Sequence, residues 1–256
     1  MSGGPGVLLG RLEQASWLLA EVRHRRDCWA PQRHPFIERW TAGALTGSEL
    51  RLYAEEHHQV VVSLAQAARR AADLTDGLLG EQLRRHARER ADEADLWCAF
   101  ALAAGWPGSA AWCFGADPLP QTSVCARIWT GDDERTAAAH LVTIYVLETA
   151  AAEVARPQRD ALRARYGLRD ERSVAWFSAR CRGDAGPAGL IEAAITGLLP
   201  VQDPFALVRH AERSYRAYWE LLDGIELYAR ATRAGATGVR ATGAGATGDS
   251  CASHSF

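Results

Sequence analysis

The stretch YAEEHHQVV, residues 53–61, places two glutamates beside two histidines in a segment whose pattern predicts a helix. Glu55 and His58 are three residues apart and therefore share one helix face. A carboxylate and an imidazole at this spacing can hold a transition metal or transfer a proton. We expect Glu56 and His57 to face solvent or a neighbouring helix. The spacing alone leaves open which of the two pairs faces the interior.

A second carboxylate lies in the most apolar segment, TAAAHLVTIYVLETAAAEVA, residues 136–155. Glu148 has apolar neighbours there, so we expect its carboxylate to be paired, bound to a metal or protonated. Tyr145 in the same segment, and His210 near the end of the chain, are further candidates for lining a pocket. The segment carries several ionisable groups, which argues against insertion into a membrane and favours a core helix.

Composition narrows the classes of partner. The chain of 256 residues has a formal net charge of −2, so nucleic acid is not an expected partner. All 29 basic residues are arginines, which excludes chemistry through a lysine Schiff base. The six cysteines form no CxxC pair, and the N-terminal segment lacks the pattern of a secretory signal. We therefore expect a cytoplasmic protein with reduced thiols.

Helical periodicity accounts for most of the chain, and no strand-like alternation is found. The longer predicted helices are 8–26, 46–74, 77–104, 134–155 and 203–230. Shorter helices are expected between them, one of them in a separate segment after residue 155. We predict an all-α bundle of about seven or eight helices, forming a single domain over residues 1–230. The tail, 231–256, repeats GATG without an apolar face and is predicted to be disordered.

Four segments carry a resemblance to a known superfamily. They are RHPFIERWTAGALTGSELRLYAEEHHQVV, EADLWCAFALAAGW, IYVLETAAAEVARPQRDALRARYGL and WFSARCRGDAG. In this order they resemble the heme-oxygenase-like superfamily, specifically its TenA/PqqC group, and most of all the branch of iron-containing oxidases. The resemblance extends over residues 30–225 and implies a helical bundle around a central pocket. Fold alone does not determine the chemistry.

The resemblance also implies a set of iron ligands. In the diiron branch a Glu and a His come from the first core helix, and a further Glu comes from the second. Glu55 and His58 match the first pair in type, and Glu148 matches the carboxylate of the second helix.

The third helix of that branch supplies His-x3-Asp-x2-His, and here the match fails. The three positions hold Arg180, Asp184 and Pro187 in this chain. An arginine stays protonated and cannot bind a metal, and a proline has no side-chain ligand. We therefore expect either no cofactor or iron on the incomplete set Glu55, His58, Glu148 and Asp184. Arg180 is predicted to pair with Glu148 or Asp184 and to fill the space of the metal with fixed positive charge.

Another row of ionisable residues gets a simpler interpretation. His86, Glu89 and Glu93 repeat along one helix face within RRHARERADEAD. In so charged a run we expect a solvated surface rather than a site.

Three functions remain open. The resemblance implies an oxidoreductase that uses dioxygen on a small amine- or amino-acid-derived metabolite in a biosynthetic pathway, as PqqC-like members do without a metal. His58 would then handle a proton, Glu148 would orient it or act as a base, and Arg180 would hold an anionic group of the substrate. Glu55, Tyr145, Asp184 and His210 would line the pocket. The alternatives are a TenA-type aminopyrimidine hydrolase and a catalytically degenerate binding or partner protein. A homodimer is compatible with all three.

Overall fold

The computed structural model describes residues 5–108, 117–131, 136–181, 186–199 and 203–243. Within these residues there are nine α-helices and no strand, which confirms the all-α prediction. The helices are α1 Pro5–Cys28, α2 Pro35–Thr41, α3 Gly47–Asp73, α4 Gly77–Ala103, α5 Pro120–Thr130, α6 Ala137–Arg165, α7 Ala175–Cys181, α8 Gly186–Leu198 and α9 Pro204–Gly243. A single 3-10 turn, Pro31–Arg33, joins α1 to α2.

The central helix of the bundle is α6, which packs against α3, α7, α8 and α9. It is long and apolar enough to cross a membrane by length and composition, but 56% of its apolar window is buried inside the bundle. This is the position of a core helix in a soluble protein. The helix is also longer than predicted, because it continues through Pro157 to Arg165. One missing backbone hydrogen bond at Pro157 is outweighed by the packing of α6 on its neighbours.

The core has two halves that differ in the types of residue that build them. One half is aliphatic and is built from α1, the second half of α3, the start of α6, α8 and α9. The other half is aromatic, with Trp40, Tyr53, Trp97, Phe100 and Phe177 fully buried among α2, α3, α4 and α7. Rings at this density interlock and hold the adjacent helices at defined distances. The aromatic half therefore forms a rigid wall for whatever lies beside it.

The start of α3 is tied to two other helices through one carboxylate. Thr46 caps α3 and forms a capping box with Glu49. The buried Glu49 carboxylate also pairs with Arg39 on α2 and with Arg233 on α9. Arg39 in turn lies 2.5 Å from Glu226 on α9. These contacts connect α2, α3 and α9 at one end of the bundle.

Helix α9 extends beyond the predicted end of the domain at residue 230, while disorder of the tail stays a prediction for the residues after 243. Arg233 is anchored on Glu49, which favours another turn of helix beyond residue 230. Residues 244–256 lie outside the part of the chain that the structure describes.

We expect the free energy of unfolding to fall as the solution is acidified from about pH 5 to about pH 2, by about 1–2 kcal/mol from Glu49 alone. Burial by itself raises the pKa of Glu49, but hydrogen bonds from Arg39 and Thr46 lower it to about 2. A folded-state pKa below the unfolded value means that the contribution is complete at neutral pH and is lost on protonation. Urea unfolding at pH 6 and pH 3 measures the difference.

The matched control is Glu49→Gln, which cannot titrate. Its stability should depend less steeply on pH than that of the wild type over this range. Identical pH profiles for the two proteins would show that Glu49 does not carry the effect.

Candidate active site

A small cavity lies between the two halves of the core, next to α6. Its volume is about 90 Å³. Its walls are almost entirely apolar or aromatic. The lining residues are Pro31, Tyr53, His57, Val60, Val61, Leu64, Trp129, Val146, Leu147, Ala150, Ala151, Val154, Ala155, Gln158, Trp176, Arg180, Tyr215 and Tyr218. A concave apolar site with a few polar groups is the usual form of a small-molecule site.

The α3 side of the cavity is built around a short polar chain. Nδ1 of His57 lies 3.2 Å from the hydroxyl of Tyr53, which lies 3.0 Å from the hydroxyl of Tyr218. The imidazole also packs against the Trp97 ring, with 4.6 Å between ring centroids. Burial, and secondarily the charge of Arg180, lowers the pKa of His57 to about 3. His57 is therefore neutral at physiological pH and can serve as a hydrogen-bonding partner in the cavity.

The structure shows which pair on α3 faces the interior, a point that the spacing left open. Glu56 and His57 are buried, with 8% and 6% of their surface exposed. The carboxylate of Glu56 accepts a hydrogen bond of 3.0 Å from the backbone N–H of Leu119. Glu55 and His58 are only half-buried and do not line the cavity. Glu55 lies 3.9 Å from Arg51 on the same helix.

A signal for the correct orientation was present in the sequence. Tyr53, His57, Val60, Val61 and Leu64 recur with helical spacing, and all five line the cavity. The apolar stripe passes through His57 and not through His58. The proton-handling role predicted for His58 is thus placed away from the cavity, and His57 occupies the position from which such a role would be performed.

The polar end of the site is a buried cluster of five ionisable residues. Glu148 of α6 and Arg180 of α7 form an ion pair of 3.2 Å, which confirms the pairing predicted from the sequence. Glu93 and Arg90 of α4 complete the cluster, with their closest atoms 3.1 Å apart. Nε2 of His86 lies 3.3 Å from the Glu148 carboxylate. Asp184, the other predicted partner of Arg180, lies outside the described residues.

The charges of this cluster balance each other. Burial by itself raises the pKa of Glu148, but the charge of Arg180 and the His86 ring 3.3 Å away hold that pKa well below its ordinary value. Burial raises the pKa of Glu93, and the nearby Glu148 charge adds to this effect. Glu148 is consequently the firmly ionised member of the two carboxylates.

Sequence reasoning missed the contribution of α4. His86 and Glu93 were predicted to face solvent, yet 3% and 6% of their surface is exposed. The spacing of seven residues places them on one face of α4, and that face packs on α7 and contacts Glu148 of α6 through side chains. The sequence pattern did not reveal this buried face, because the exposed residues Arg84, Arg85 and Arg88 lie in the same charged run.

Two further predicted pocket residues have structural contacts elsewhere. The hydroxyl of Tyr145 accepts a hydrogen bond of 3.1 Å from Arg23 Nε and donates one of 2.7 Å to Glu192. Nε2 of His210 lies 2.7 Å from the hydroxyl of Thr143 inside the core. Neither side chain lines the cavity.

The iron that the resemblance implies does not fit these residues. Nitrogens of Arg90 and Arg180 lie between the carboxylates of Glu93 and Glu148, where cations would have to bind. Among the described residues there is no group of three or more His, Cys, Asp or Glu that could hold a metal ion. A divalent cation entering here would meet two fixed positive charges at short range in a water-poor environment.

Arg180 belongs to both the ion cluster and the cavity. Its Nη1 contacts Glu148 and Glu93 and its Nη2 donates to the backbone carbonyl of Leu147, while its Nε is buried without a hydrogen-bond partner. Nε1 of Trp176 is also buried without a partner, and Trp176 lines the cavity. Buried donors without partners are uncommon, because each loses its hydrogen bond to water. Both donors belong to residues of the cavity wall.

The cysteines do not suit nucleophilic catalysis in this cavity. None of the lining residues is a cysteine. Cys125 is a buried free thiol, and burial raises its pKa well above the ordinary value. Cys181 and Cys28 are also free thiols. Cys98 is disulfide-bonded, contrary to the expectation that all thiols are reduced.

Comparison with known proteins shows the fold. No family model matches the chain. The sequence is 28% identical over 211 residues to a 4-aminobenzoate synthase of Nitrosomonas europaea, covering 75% of this chain and 84% of that protein. A domain of unknown function with a heme oxygenase-like fold, from Shewanella denitrificans OS217, is similar in structure. Its TM-score is 0.67 at 18% identity, over 89% of this chain and 95% of that one.

A TenA homolog from Pseudomonas syringae pv. tomato gives a TM-score of 0.65 at 16% identity, covering 86% of this chain and 92% of that chain. A TenA homologue from P. horikoshii OT3 gives 0.63 at 14% identity, covering 81% and 97%. The chain therefore has the heme-oxygenase-like fold that the sequence predicted.

Proposed function

We propose that this chain, which has the heme-oxygenase-like fold, is a biosynthetic enzyme that uses dioxygen to oxidise a small amine- or amino-acid-derived aromatic metabolite in the cavity beside α6. The observation that carries the proposal is the cavity itself, whose aromatic walls hold buried donors without partners. The similarity to a 4-aminobenzoate synthase supports a biosynthetic role and a single-ring aromatic compound. The cytoplasm remains the expected compartment.

The volume of the cavity limits the size of the substrate. About 90 Å³ is less than the roughly 150 Å³ of an engineered protein cavity that accepts benzene. Even a single ring with small substituents therefore needs the cavity walls to move outward, and a fused ring system needs a larger movement. Tyr53, Trp129 and Tyr218 offer ring faces and edges for stacking.

The polar groups of the cavity then have separate roles. Nε of Arg180 and Nε1 of Trp176 can donate to a carboxylate or carbonyl oxygen of the substrate. Neutral His57, joined to Tyr53 and Tyr218, is the group placed to accept or deliver a proton. Glu148 does not line the cavity, so we assign it to holding Arg180 in position rather than to acting as a base.

A binding protein without catalysis is the second candidate. The charge-balanced ion cluster favours it, since none of its ionised groups is left free to react. TenA-type hydrolysis is less well supported, because the cavity wall has no cysteine nucleophile among the described residues.

We expect 4-aminobenzoate to bind with a dissociation constant on the order of 10 μM, since a single ring fills the cavity and its carboxylate meets the unpaired donors. Isothermal titration calorimetry measures this value. 2-Naphthoate is the matched control, with the same carboxylate on a ring system too large for the volume, and should bind at least about tenfold more weakly. Equal affinity for the two acids would contradict the assignment of the cavity.

Catalysis is tested separately with an oxygen electrode. Single-ring aromatic amines and amino acids, with added reductant, should cause oxygen consumption above that of a heat-denatured control. Binding of benzoates without any oxygen consumption would favour the non-enzymatic candidate.

A further inference from the structure

The two carboxylates of the ion cluster share two cationic nitrogens. Nη1 of Arg90 lies 3.1 Å from Oε1 of Glu93 and 3.4 Å from Oε1 of Glu148. Nη1 of Arg180 lies 3.5 Å from Oε2 of Glu93 and 3.2 Å from Oε2 of Glu148. Nη1 of Arg180 also lies 3.3 Å from Oε1 of Glu148. Each of the two nitrogens thus contacts both carboxylates, so that two positive charges lie between the same two negative groups.

The cluster is largely buried, and Arg90 is the member that reaches an outer groove between α3 and α4. The exposed fractions of the side chains are 5% for Arg180, 6% for Glu148, 8% for Glu93 and 13% for Arg90. His86 covers the remaining side of Glu148 and is itself 3% exposed. Three helices, α4, α6 and α7, each contribute to it. This burial distinguishes the cluster from a solvent-exposed ion pair, which contributes little to stability.

We propose that the guanidinium groups of Arg90 and Arg180 occupy the positions of two cations between the carboxylates of Glu93 and Glu148. This chain therefore binds no metal at these carboxylates and functions without one. The proposal goes beyond the proposed oxidation and does not rest on it, because it concerns only which cations the carboxylates hold.

The physical reason is that the guanidinium group stays positively charged between the two carboxylates. Arginine does not lose its proton in a protein, so it cannot vacate the site by becoming neutral, as a lysine or histidine can. Its charge compensates buried carboxylates that otherwise remain without a counter-ion. A metal ion would have to expel both side chains from a packed interior. The carboxylates and His86 would then supply too few ligands for a closed coordination shell.

Metal analysis of the full-length chain tests the proposal. The wild type and two double variants are loaded anaerobically with Fe²⁺ or Zn²⁺, desalted and analysed by mass spectrometry. We expect less than about 0.1 metal per chain in the wild type, and about one or more in Arg90→His/Arg180→His, whose imidazoles would join the ligands already present. Arg90→Gln/Arg180→Gln removes the same charges without adding a ligand, and should stay as poor in metal as the wild type.

Two results would overturn the proposal. One is a wild type that retains about one metal per chain and loses it in Glu148→Gln. The other is a histidine variant that is folded by circular dichroism yet binds no more metal than the glutamine variant. If neither double variant folds, the comparison of the wild type with Glu148→Gln decides the question alone. Metal-free wild type whose melting temperature is unchanged by a chelator supports the proposal.

Discussion

Glu148→Gln is expected to lower the free energy of unfolding by about 3–5 kcal/mol, the largest effect on stability that we predict for a single site. The substitution keeps the shape of the side chain but leaves two buried guanidiniums with one carboxylate between them. Burial makes that unbalanced charge expensive, because water cannot reach it. Thermal and urea unfolding at pH 7 measure the loss, and the melting temperature should fall by about 10 °C.

The control for this prediction is Glu153→Gln on the same helix. Glu153 is 54% exposed and its ion pair with Arg26 is 4.0 Å long, so its loss should cost no more than about 0.5 kcal/mol. The double variant Glu148→Gln/Arg180→Gln should be less destabilised than the sum of the two single variants, because it removes the unpaired charge along with its partner. Additive losses would mean that the 3.2 Å contact between Glu148 and Arg180 does not couple them.

Ala151→Phe is expected to weaken ligand binding and turnover by about 100-fold or more, the largest effect on activity that we predict. Ala151 lies on α6 and lines the cavity, so a phenyl ring there occupies the space proposed for the substrate ring. Because the ring fills an existing void, the fold should tolerate it better than it tolerates an equal enlargement in a fully packed core. Calorimetry with 4-aminobenzoate, oxygen consumption and the melting temperature measure the three quantities.

Ala152→Phe is the matched control, since it makes the same substitution at the next residue of α6, which does not line the cavity. It should retain ligand binding within a few-fold of the wild type. Unchanged binding in Ala151→Phe, in a protein that is folded, would place the ligand site elsewhere.

Much of the fold follows from the sequence. Periodicity and helix-ending residues predicted an all-α bundle, and the capping box at Thr46 and Glu49 began α3 close to the expected residue. Glu148 in an apolar helix required a partner, and Arg180 proved to be that partner. In each of these cases the deciding physics is local, or depends on a buried charge that any fold must compensate.

The four residues EEHH could not by themselves decide which side of α3 faces the cavity, although the apolar residues around them carry the signal. Neighbouring residues of a helix differ by about 100° in direction, so whether His57 or His58 faces inward depends on how α3 is rotated against α6 and α9. The structure buries His57, because Tyr53, Val60 and Leu64 extend the same face into the core.

The ion cluster is a second feature that local sequence patterns could not predict. His86 and Glu93 belong to a run of charges that any local pattern assigns to solvent, yet along that face α4 packs on α7 and contacts Glu148 of α6. Arg90 and Arg180 are far apart in the chain and only the tertiary fold brings them to the same pair of carboxylates. Residue types alone thus determined that a buried carboxylate needed a cation. The rotation and contact of whole helices decided that two arginines supply it, since charge compensation acts through space and is independent of order along the chain.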